Sequence, residues 1–283
     1  MSAVAAADRP PRGRRTARIQ RALLYLAAIV VSLWVLVPIY FITLAAFSTQ
    51  EDVYVYPRKL LPTNLSWDTM SFFLNAEGVV GSLGRSVVVA LGTLVLAMAI
   101  GTPAGYALAR FAFRGADTFR LGIVSTRAFP VLIIAIPLSV TYLRVGIDDT
   151  ELGVILAHTA FALPFAVLVT ASVFAGVSVE LEEAAMTLGC SRASAVARVV
   201  LPLALPGLAA TAIFVFIVSW NEVFAATVLT LTHRTLPAEV LSTLEFSPLP
   251  YKFAGGFFLL APAFVVIFVI RKYVFNMWGR TVR

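Results

Sequence analysis

The chain has 283 residues and a net charge of +7; 60% of its residues are hydrophobic and only 13% are charged. Soluble domains carry roughly a quarter charged residues, so this composition excludes an ordinary water-soluble globular protein. The single cysteine, Cys190, excludes an intrachain disulfide and is expected to be a small reduced thiol.

Six long stretches with few or no charged residues predict six membrane-spanning helices. A bilayer crossing needs about 20 apolar residues, and helices of soluble proteins rarely run that long without a polar face. The sequence therefore indicates an all-α integral membrane protein, with a basic arm over residues 1–21 and one transmembrane domain over residues 22–283. The predicted helices cover residues 22–47, 86–109, 121–143, 152–175, 203–231 and 253–272.

The first predicted helix follows a basic arm, an arrangement that also begins a signal peptide. The arm holds six arginines from Arg9 to Arg21. The apolar run that starts at Ala22 is too long for the central region of a signal peptide, and no small-residue cleavage pattern follows it. We therefore expect a retained first helix with the arm in the cytoplasm. The arm could contact anionic lipid, but a disordered basic segment that keeps this end of the chain inside is the interpretation we favour.

Two of the segments between the predicted helices are rich in turn-forming residues. Residues 48–83, which include Pro57 and Trp67, predict turns and short helices at the membrane surface. Residues 232–252 contain three prolines, and the stretch 235–249 within them predicts one short helix.

Ionisable side chains inside the third and fourth predicted helices are open to more than one interpretation. Arg127 lies about two turns into the third helix; it could snorkel to the cytoplasmic surface along its aliphatic stem or line the inner mouth of a transport path. Pro130 and Pro137 can each kink the same helix, because proline removes a backbone hydrogen bond. For His158, in the fourth helix, we expect a satisfied polar contact rather than a proton relay.

Residues 176–202, between the fourth and fifth predicted helices, predict two short helices joined by a sharp corner. Ser178 can cap the first helix, whose first turns carry acidic residues that complement the positive end of the helix dipole. Gly189 is suited to a left-handed stop, and Leu201-Pro202 is predicted to end the second helix. Such a rigid knob could be gripped by a cytoplasmic partner.

The fifth predicted helix contains Trp220, Asn221 and Glu222, a combination of flat ring, amide and acid. Acids at membrane depth generally face the bundle interior or a water-filled path, and these groups suit a hydroxylated solute. Two hypotheses follow for Glu222: a place in the path or gate, which we favour, or a helix–helix contact with a polar partner.

The distribution of lysine and arginine predicts the orientation. Fifteen of these residues fall in the arm, in the tail and in the segments after the second and fourth helices, and six fall in the remaining loops. By the positive-inside rule, both termini then lie in the cytoplasm. The net positive charge thus follows from topology, and the sequence lacks the aromatic-interleaved basic patch typical of nucleic-acid binding.

The segment 176–202 resembles the EAA loop of the permease subunits of ATP-binding-cassette (ABC) importers. The family pattern is Glu-Ala-Ala, three residues, Gly, nine residues, an aliphatic residue, any residue, Leu and Pro. Here the matching positions are Glu183-Ala184-Ala185, Gly189, Val199 and Leu201-Pro202. We call residues 176–202 the EAA segment from here on.

Three further motifs extend the resemblance over nearly the whole chain. Gly105–Phe111, with the sequence GYALARF, looks like the end of the second helix in the maltose-type carbohydrate permeases. Phe161–Phe165 and Ser219–Glu222 resemble elements of the fourth and fifth helices of the same branch. The chain looks like the smaller, six-helix permease of that family, whose members carry sugars, oligosaccharides, polyols or glycerol phosphate.

The resemblance implies a type I importer permease fold in the bacterial plasma membrane and a set of partner chains. These are a second, different permease, two ATP-binding subunits that hold ATP and Mg²⁺, and an extracytoplasmic solute-binding protein. The tail Trp278-Gly279-Arg280-Thr281 is expected near the ATPase interface. The residues expected to couple to the ATPase are Glu182, Glu183, Ala184, Ala185, Gly189, Leu201 and Pro202.

Negative features narrow the alternatives. A P-loop needs a lysine in a glycine-rich turn, and none of Lys59, Lys252 and Lys272 follows one, so ATP hydrolysis and its cofactors must belong to another chain. An ion-coupled secondary transporter would need several mid-membrane acids, and a membrane enzyme would need a cluster of catalytic groups. An ABC permease for a non-carbohydrate solute stays open.

Overall fold

The computed structural model describes residues 14–57, 60–61, 64–243 and 246–278. Side-chain surroundings are described from residue 19 onward and, in the last helix, for residues up to 262 and for 264, 265 and 268. Over these ranges the regular structure is helical, apart from one isolated antiparallel bridge between Ser48 and Leu65. The arm before residue 14 and tail residues 279–283 lie outside the described residues.

Thirteen α-helices and one π-helical turn make up the described part of the chain. A π-helical turn over Val196–Val200 joins α9 to α10. The α-helices are α1 Arg14–Ala46, α2 Gln50–Tyr54, α3 Asp68–Leu74, α4 Val79–Arg110, α5 Ala116–Thr126, α6 Val131–Val145, α7 Glu151–Ala175, α8 Val179–Thr187, α9 Arg192–Ala195, α10 Leu201–Trp220, α11 Phe224–Leu229, α12 Leu236–Thr243 and α13 Leu249–Trp278.

Four of these helices, taken over the described residues, are long and apolar enough to cross a membrane: α1 from Ile19, α4, α7 and the continuous run Arg192–Trp220. The pair α5–α6 would add a fifth crossing if it is one broken span. These spans confirm the predicted all-helical membrane protein. The sixth predicted helix falls within α13, and the count of six crossings stays a prediction.

The third predicted helix, residues 121–143, is not one helix, and this prediction was wrong. The chain forms α5 and α6 instead, bent by 84° across the break between them. The break ends at Pro130, which has extended backbone and stands at the N-cap of α6. A residue before proline is disfavoured in the helical region, which accounts for the interruption near Phe129.

The fifth predicted helix, residues 203–231, is also interrupted. α10 ends at Trp220, and a short break over residues 221–223 precedes α11. Both side-chain oxygens of Glu222 accept hydrogen bonds from the first turn of α11, from Ala225 N at 2.9 Å and Ala226 N at 3.1 Å. An acid that caps a new helix N-terminus in this way stabilises a fresh helix start.

The remaining boundaries agree more closely. α7 begins where Thr150 caps it, with its hydroxyl accepting from Gly153 N at 3.1 Å. The short helices predicted in the outer segments are present as α2 and α3 in the first and α12 in the second. α4 begins at Val79, earlier than the predicted residue 86, after Gly78 in left-handed conformation.

The core lies where α4, α7 and α10 pack together, with small residues at the closest approach of α4 and α7. A Cβ atom added to Gly101 would lie 2.9 Å from the Ala166 Cβ, and one added to Gly105 would lie 2.0 Å from the Thr170 Oγ1. In a membrane, helices gain packing by letting their backbones approach at small residues. This pairing fixes the C-terminal ends of α4 and α7 side by side.

A second cluster, formed largely of aromatic rings, joins α13 to α3. The Phe73 ring lies 4.8 Å from the Tyr251 ring and 5.5 Å from the Phe258 ring, between centroids. The C-terminal end of α1 joins it through Phe47, whose ring lies 5.0 Å from that of Phe257. Residues 19–38 of α1 are exposed, and no residue of its most apolar stretch is buried within the chain.

Candidate functional site

The EAA segment folds as the predicted pair of short helices around a glycine corner. α8 ends in a Schellman motif, in which Cys190 N–H donates to the Ala185 carbonyl at 3.1 Å and Gly189 N–H donates to the Met186 carbonyl at 3.0 Å. Gly189 has φ of +92°, in the left-handed region that favours glycine. Ser178 and Ser191 cap the two helices through their hydroxyl groups.

The helix α8 has one buried and one exposed face. Glu182 and Ala185 are buried, only 3% and 8% exposed. Glu183 and Ala184 are exposed, and Leu188 is 87% exposed at the corner itself. The exposed side of α8 and its corner therefore carries acidic, small and apolar side chains that no other part of the described chain covers.

Glu182 is bound within the chain rather than presented to a partner. Its Oε2 accepts a hydrogen bond from Arg110 Nε at 3.0 Å, and its Oε1 accepts one from the Tyr106 hydroxyl. Glu182 was among the residues expected from the sequence to couple to the ATPase. Because both of its oxygens are occupied within the chain, we no longer assign Glu182 a direct contact with a partner.

Leu201 and Pro202 do not end a helix, contrary to the prediction. The chain continues from α9 through the π-helical turn into α10, and Leu201 N–H donates to the Val196 carbonyl, five residues earlier. The wider turn accommodates Pro202, which has no N–H to donate. The EAA segment is therefore joined to α10 by continuous helix.

The predicted path residues Trp220, Asn221 and Glu222 separate in the structure. Trp220 is 3% exposed, and its Nε1 donates to the Leu259 carbonyl of α13 at 3.3 Å. Its ring is thus a packing surface, not the open stacking face that the sequence suggested. Asn221 is exposed, and its Nδ2 donates to the Ile217 carbonyl at 3.0 Å.

Glu222 belongs to a polar cluster that ties three helices together. Its Oε2 lies 3.0 Å from His158 Nε2, and His158 Nδ1 lies 2.8 Å from Ser219 Oγ. Ser219 Oγ in turn lies 3.2 Å from Thr93 Oγ1 on α4. The contacts of His158 confirm the expected satisfied polar contact. The contacts of Glu222 match the less favoured hypothesis, a helix–helix contact.

Arg127 lies at the break between α5 and α6, not two turns inside a helix. Its side chain is exposed, and its guanidinium lies 5.9 Å from the centroid of the Phe165 ring of α7. Phe165 stacks on Phe214 of α10 with centroids 3.9 Å apart. Phe165 is ten residues before the C-terminal end of α7, a distance of about 15 Å along the helix. Both hypotheses for Arg127, snorkelling and lining the path, stay predictions.

A carboxylate that the sequence did not single out joins the loop between α6 and α7 to the loop between α11 and α12. Asp149 Oδ1 accepts hydrogen bonds from the backbone N–H groups of Leu231, Thr232 and His233 at 2.8, 3.0 and 3.0 Å. Partial burial raises the pKa of Asp149, but these bonds and one from the Thr232 hydroxyl outweigh it and hold the pKa well below the usual carboxyl range. The partners lie more than 80 residues away, and no local pattern marks them.

Tyr106 and Arg110 are two further site residues that were not predicted from the sequence. Both lie in the GYALARF motif at the end of α4, and both reach the EAA segment. The motif itself was the available signal, together with a charged residue at the last position of a long apolar helix. The contact joins residues 72 and 76 positions apart, which periodicity cannot reveal.

Comparison with known proteins places this geometry in context. The trehalose transport system permease protein SugB of Mycobacterium tuberculosis is 30% identical over 240 residues, covering 83% of this chain and 86% of that protein. The diacetylchitobiose uptake system permease protein NgcG of Streptomyces coelicolor is 32% identical over 209 residues, covering 74% of this chain and 68% of that protein.

Solved structures share the fold. A chain of a bacterial ABC transporter that imports the acidic polysaccharide alginate aligns with a TM-score of 0.71 at 23% identity, covering 93% of this chain and 99% of that chain. A chain of the inward-facing MetNI methionine ABC transporter aligns with a TM-score of 0.55 at 20% identity, covering 72% of this chain and 97% of that chain.

The family assignment rests on the part of the chain that holds both the GYALARF motif and the EAA segment. A family model described as the inner membrane component of binding-protein-dependent transport systems matches residues 101–278. The matched region begins in α4 at Gly101, on the packed face against α7, and ends at the last residue of α13. The chain belongs to the family of inner membrane components of binding-protein-dependent transport systems.

Proposed function

We propose that this chain is the permease subunit of an ABC importer and forms half of a path for a sugar, oligosaccharide or polyol. In this proposal it crosses the membrane six times with both termini in the cytoplasm. It works with a second permease, two ATP-binding subunits and an extracytoplasmic solute-binding protein. The solved importers with this fold include one whose periplasmic partner holds an alginate pentasaccharide.

One observation carries the proposal: a rigid two-helix protrusion with a buried face and an exposed face stands at the joint of two long apolar helices. α8 follows the end of α7 after three residues, and α9 runs without a break into α10. A push on the exposed face, at Glu183, Ala184 and Leu188, would therefore move both helices. Gly189 keeps the protrusion compact. We assign these residues to the docking of an ATP-binding subunit.

Fewer observations support the assignment of residues to the transport path. Arg127 and Asn221 are exposed, and an exposed cation at membrane depth belongs beside a water-filled path or another chain rather than lipid. We keep both as path residues. We assign Trp220 and Glu222 to holding the break between α10 and α11, because both are engaged within the chain.

The carbohydrate assignment draws on relatives whose names state their solutes. Two of them, at 30% and 32% identity, carry trehalose and diacetylchitobiose, and an alpha-glucoside permease of Rhizobium meliloti is 33% identical over 172 residues. These relatives make disaccharides the first solutes to test. A non-carbohydrate solute is the alternative, since the methionine transporter has the same fold.

Reconstitution into proteoliposomes tests the proposal. The chain is incorporated with its partner permease and ATP-binding subunits, the solute-binding protein is added outside, and uptake of labelled trehalose, diacetylchitobiose, maltose and methionine is measured. We expect uptake of one of the sugars that requires both internal ATP and the binding protein. Uptake of methionine alone would overturn the carbohydrate assignment. Uptake driven by an ion gradient without ATP would overturn the assignment as an ABC importer.

A further inference from the structure

The GYALARF motif at the inner end of α4 has no role in the function proposed so far, yet its side chains hold the EAA segment. Arg110 donates two hydrogen bonds, from Nε to Glu182 Oε2 at 3.0 Å and from Nη2 to the Val177 carbonyl at 2.9 Å. The Tyr106 hydroxyl donates a hydrogen bond to the other Glu182 oxygen, Oε1. One carboxylate and the loop before α8 are thus bound from the same end of α4.

This contact is buried. The side chains of Arg110 and Glu182 are 5% and 4% exposed. A buried ion pair costs desolvation energy that its attraction only partly returns, and apolar residues of similar volume often serve stability as well or better. A stability role alone therefore explains the pair poorly, whereas a need for one fixed arrangement of two helices explains it directly.

Aromatic contacts join the same end of α4 to α9 and α7 as well. The Arg192 guanidinium, at the start of α9, lies 5.4 Å from the centroid of the Phe111 ring. The Tyr106 ring packs edge-on against Phe174 of α7, with centroids 5.5 Å apart. The last turn of α4 accordingly contacts the segment on both sides of the Gly189 corner.

The order of the helices along the chain shows why α4 needs side-chain contacts with the EAA segment. α7 and α10 are joined to the EAA segment by the chain itself, but α4 is separated from it by α5, α6 and α7. Any displacement of the segment reaches α7 and α10 through covalent connections. Without a side-chain anchor, the inner end of α4 would follow only through its packing on α7.

We propose that Tyr106 and Arg110, acting through Glu182, are positioning residues that make α4 move as one body with the EAA segment when the ATPase drives it. This inference rests on the proposed function, and it gives the GYALARF motif its role. We call the contact of Tyr106 and Arg110 with Glu182 the anchor. The anchor links a third transmembrane helix, α4, to the EAA segment, in addition to α7 and α10, which the chain already connects to it. The transported solute never contacts it.

The first test compares coupling in proteoliposomes that contain the complete complex. Glu182→Gln, Arg110→Met and Tyr106→Phe are measured with the sugar that the wild-type complex takes up from the panel above. We expect sugar transported per ATP hydrolysed to fall at least about fivefold for Glu182→Gln, the lower end of usual coupling free energies. Glu180→Gln is the matched control, because Glu180 is an exposed acid on the same helix, and its ratio should not change.

A second test measures the motion without any solute. Cys190→Ser removes the only cysteine, and spin labels are placed on cysteines at exposed Val179 of α8 and exposed Val95 of α4. The distance between the labels is compared in the complex without nucleotide and after trapping with ATP, Mg²⁺ and vanadate. With the anchor intact, we expect the same distance between the labels in both states. With Glu182→Gln, we expect the distance distribution to shift or broaden after trapping.

The outcomes separate the two levels of the hypothesis. If the wild-type complex shows no ATP-dependent uptake, the proposed function fails. If it transports but Glu182→Gln and Tyr106→Phe keep its transport ratio and label distance, only the anchor is overturned. If Glu182→Gln reduces assembly, Tyr106→Phe decides, because it leaves no charge unpaired: a normal ratio overturns the anchor, and a lowered ratio in assembled complex supports it.

Discussion

Gly189 shows how a single residue shapes the surface proposed to meet the ATPase. Its φ of +92° lies in the left-handed region, and an added Cβ would meet no atom within 4 Å. A side chain there would be strained by the backbone alone and not by a clash. The cost of holding an ordinary residue left-handed is roughly 1–2 kcal/mol.

We expect Gly189→Ala to weaken binding of the ATP-binding subunit by about tenfold, since that factor corresponds to about 1.4 kcal/mol. The corner must either keep a strained conformation or open and misplace Leu188. Binding of the purified ATP-binding subunit to the permease pair in nanodiscs measures the effect. Gly122→Ala is the control, because Gly122 has equally open surroundings and no positive φ. An unchanged affinity for Gly189→Ala would show that the corner does not set the docking surface.

The contact between Asp149 and the backbone of residues 231–233 should be sensitive to acid, because it depends on a charged carboxylate. Its folded-state pKa is lowered, so its contribution to stability is complete above the ordinary carboxyl value near 3.9 and fades as the pH falls through its lowered pKa. Asp149→Asn removes the charge that accepts three backbone N–H groups, and hydrogen bonds to charged groups contribute roughly 1.5–3 kcal/mol. We expect the variant to be less stable at neutral pH and to lose less stability on acidification.

Thermal unfolding of the detergent-solubilised permease pair, measured at neutral pH and at about pH 3.5, below the ordinary carboxyl pKa, checks this difference. Asp148→Asn is the neighbouring control, since the bonds described above all end on Asp149. Equal losses of stability in wild type and Asp149→Asn would contradict the assignment.

Among the elements, the pairing of α4 with α7 is the one that tolerates least change. Gly105 lies so close to Thr170 that an added Cβ would sit 2.0 Å from its hydroxyl oxygen and 2.7 Å from the Ala171 nitrogen. The two backbones would have to separate, and overpacking of this kind typically costs about 1–3 kcal/mol. Gly105 also adjoins Tyr106, so separation would disturb the proposed anchor.

We expect Gly105→Ala to lower the thermal stability of the permease pair and to reduce the yield of assembled complex. Gly84→Ala provides a matched control on the same helix, because nothing lies within 4 Å of the Cβ position there. Fluorescence-detected size exclusion after heating measures both variants. Indistinguishable melting curves would mean that α4 and α7 are less closely packed than the structure describes.

The sequence predicted elements well where their signals are local. The caps at Ser178 and Ser191 and the corner at Gly189 are set by the residues themselves, and the EAA segment was predicted almost completely. The π-helical turn was not, since the Leu201-Pro202 pair reads as a stop unless the preceding turn widens. Hydrophobic runs likewise give the length of a crossing but not its bends.

Contacts across long separations were the hardest part to predict. Glu222 was expected in the path because an acid in an apolar run signals function, yet His158, 64 residues earlier, occupies it. Glu182 was expected to face a partner, yet Arg110 binds it from 72 residues away. In both cases the residue type was recognised correctly, but only the packing of α4, α7 and α10 shows where its partner lies.

The orientation of the chain in the membrane can be tested directly with its single cysteine. Cys190 is half-buried and lies beside the Gly189 corner. If the EAA segment faces the cytoplasm, a membrane-impermeant maleimide should label Cys190 in inside-out vesicles and not in intact cells. In a Cys190→Ser background, Phe246→Cys, at an exposed position in the segment before α13, should show the opposite pattern.

The same labelling, extended to a cysteine added after Arg283, tests the predicted cytoplasmic C-terminus. Six crossings require the added cysteine and Cys190 to react from the same side. Labelling from opposite sides would give an odd number of crossings between them and would exclude the six-helix topology.

The isolation of α1 from the bundle has a consequence for how the protein tolerates variation. Trp34 is 83% exposed, and only the outer end of the helix, around Ala45 and Ala46, is buried within the chain. The fold of this chain therefore requires residues 19–38 of α1 to be apolar but does not require their particular shapes. In a saturation library, we expect apolar substitutions from Leu23 to Val37 to leave the fold of this chain intact, while the small side chains at Ala45 and Ala46 permit almost no exchange.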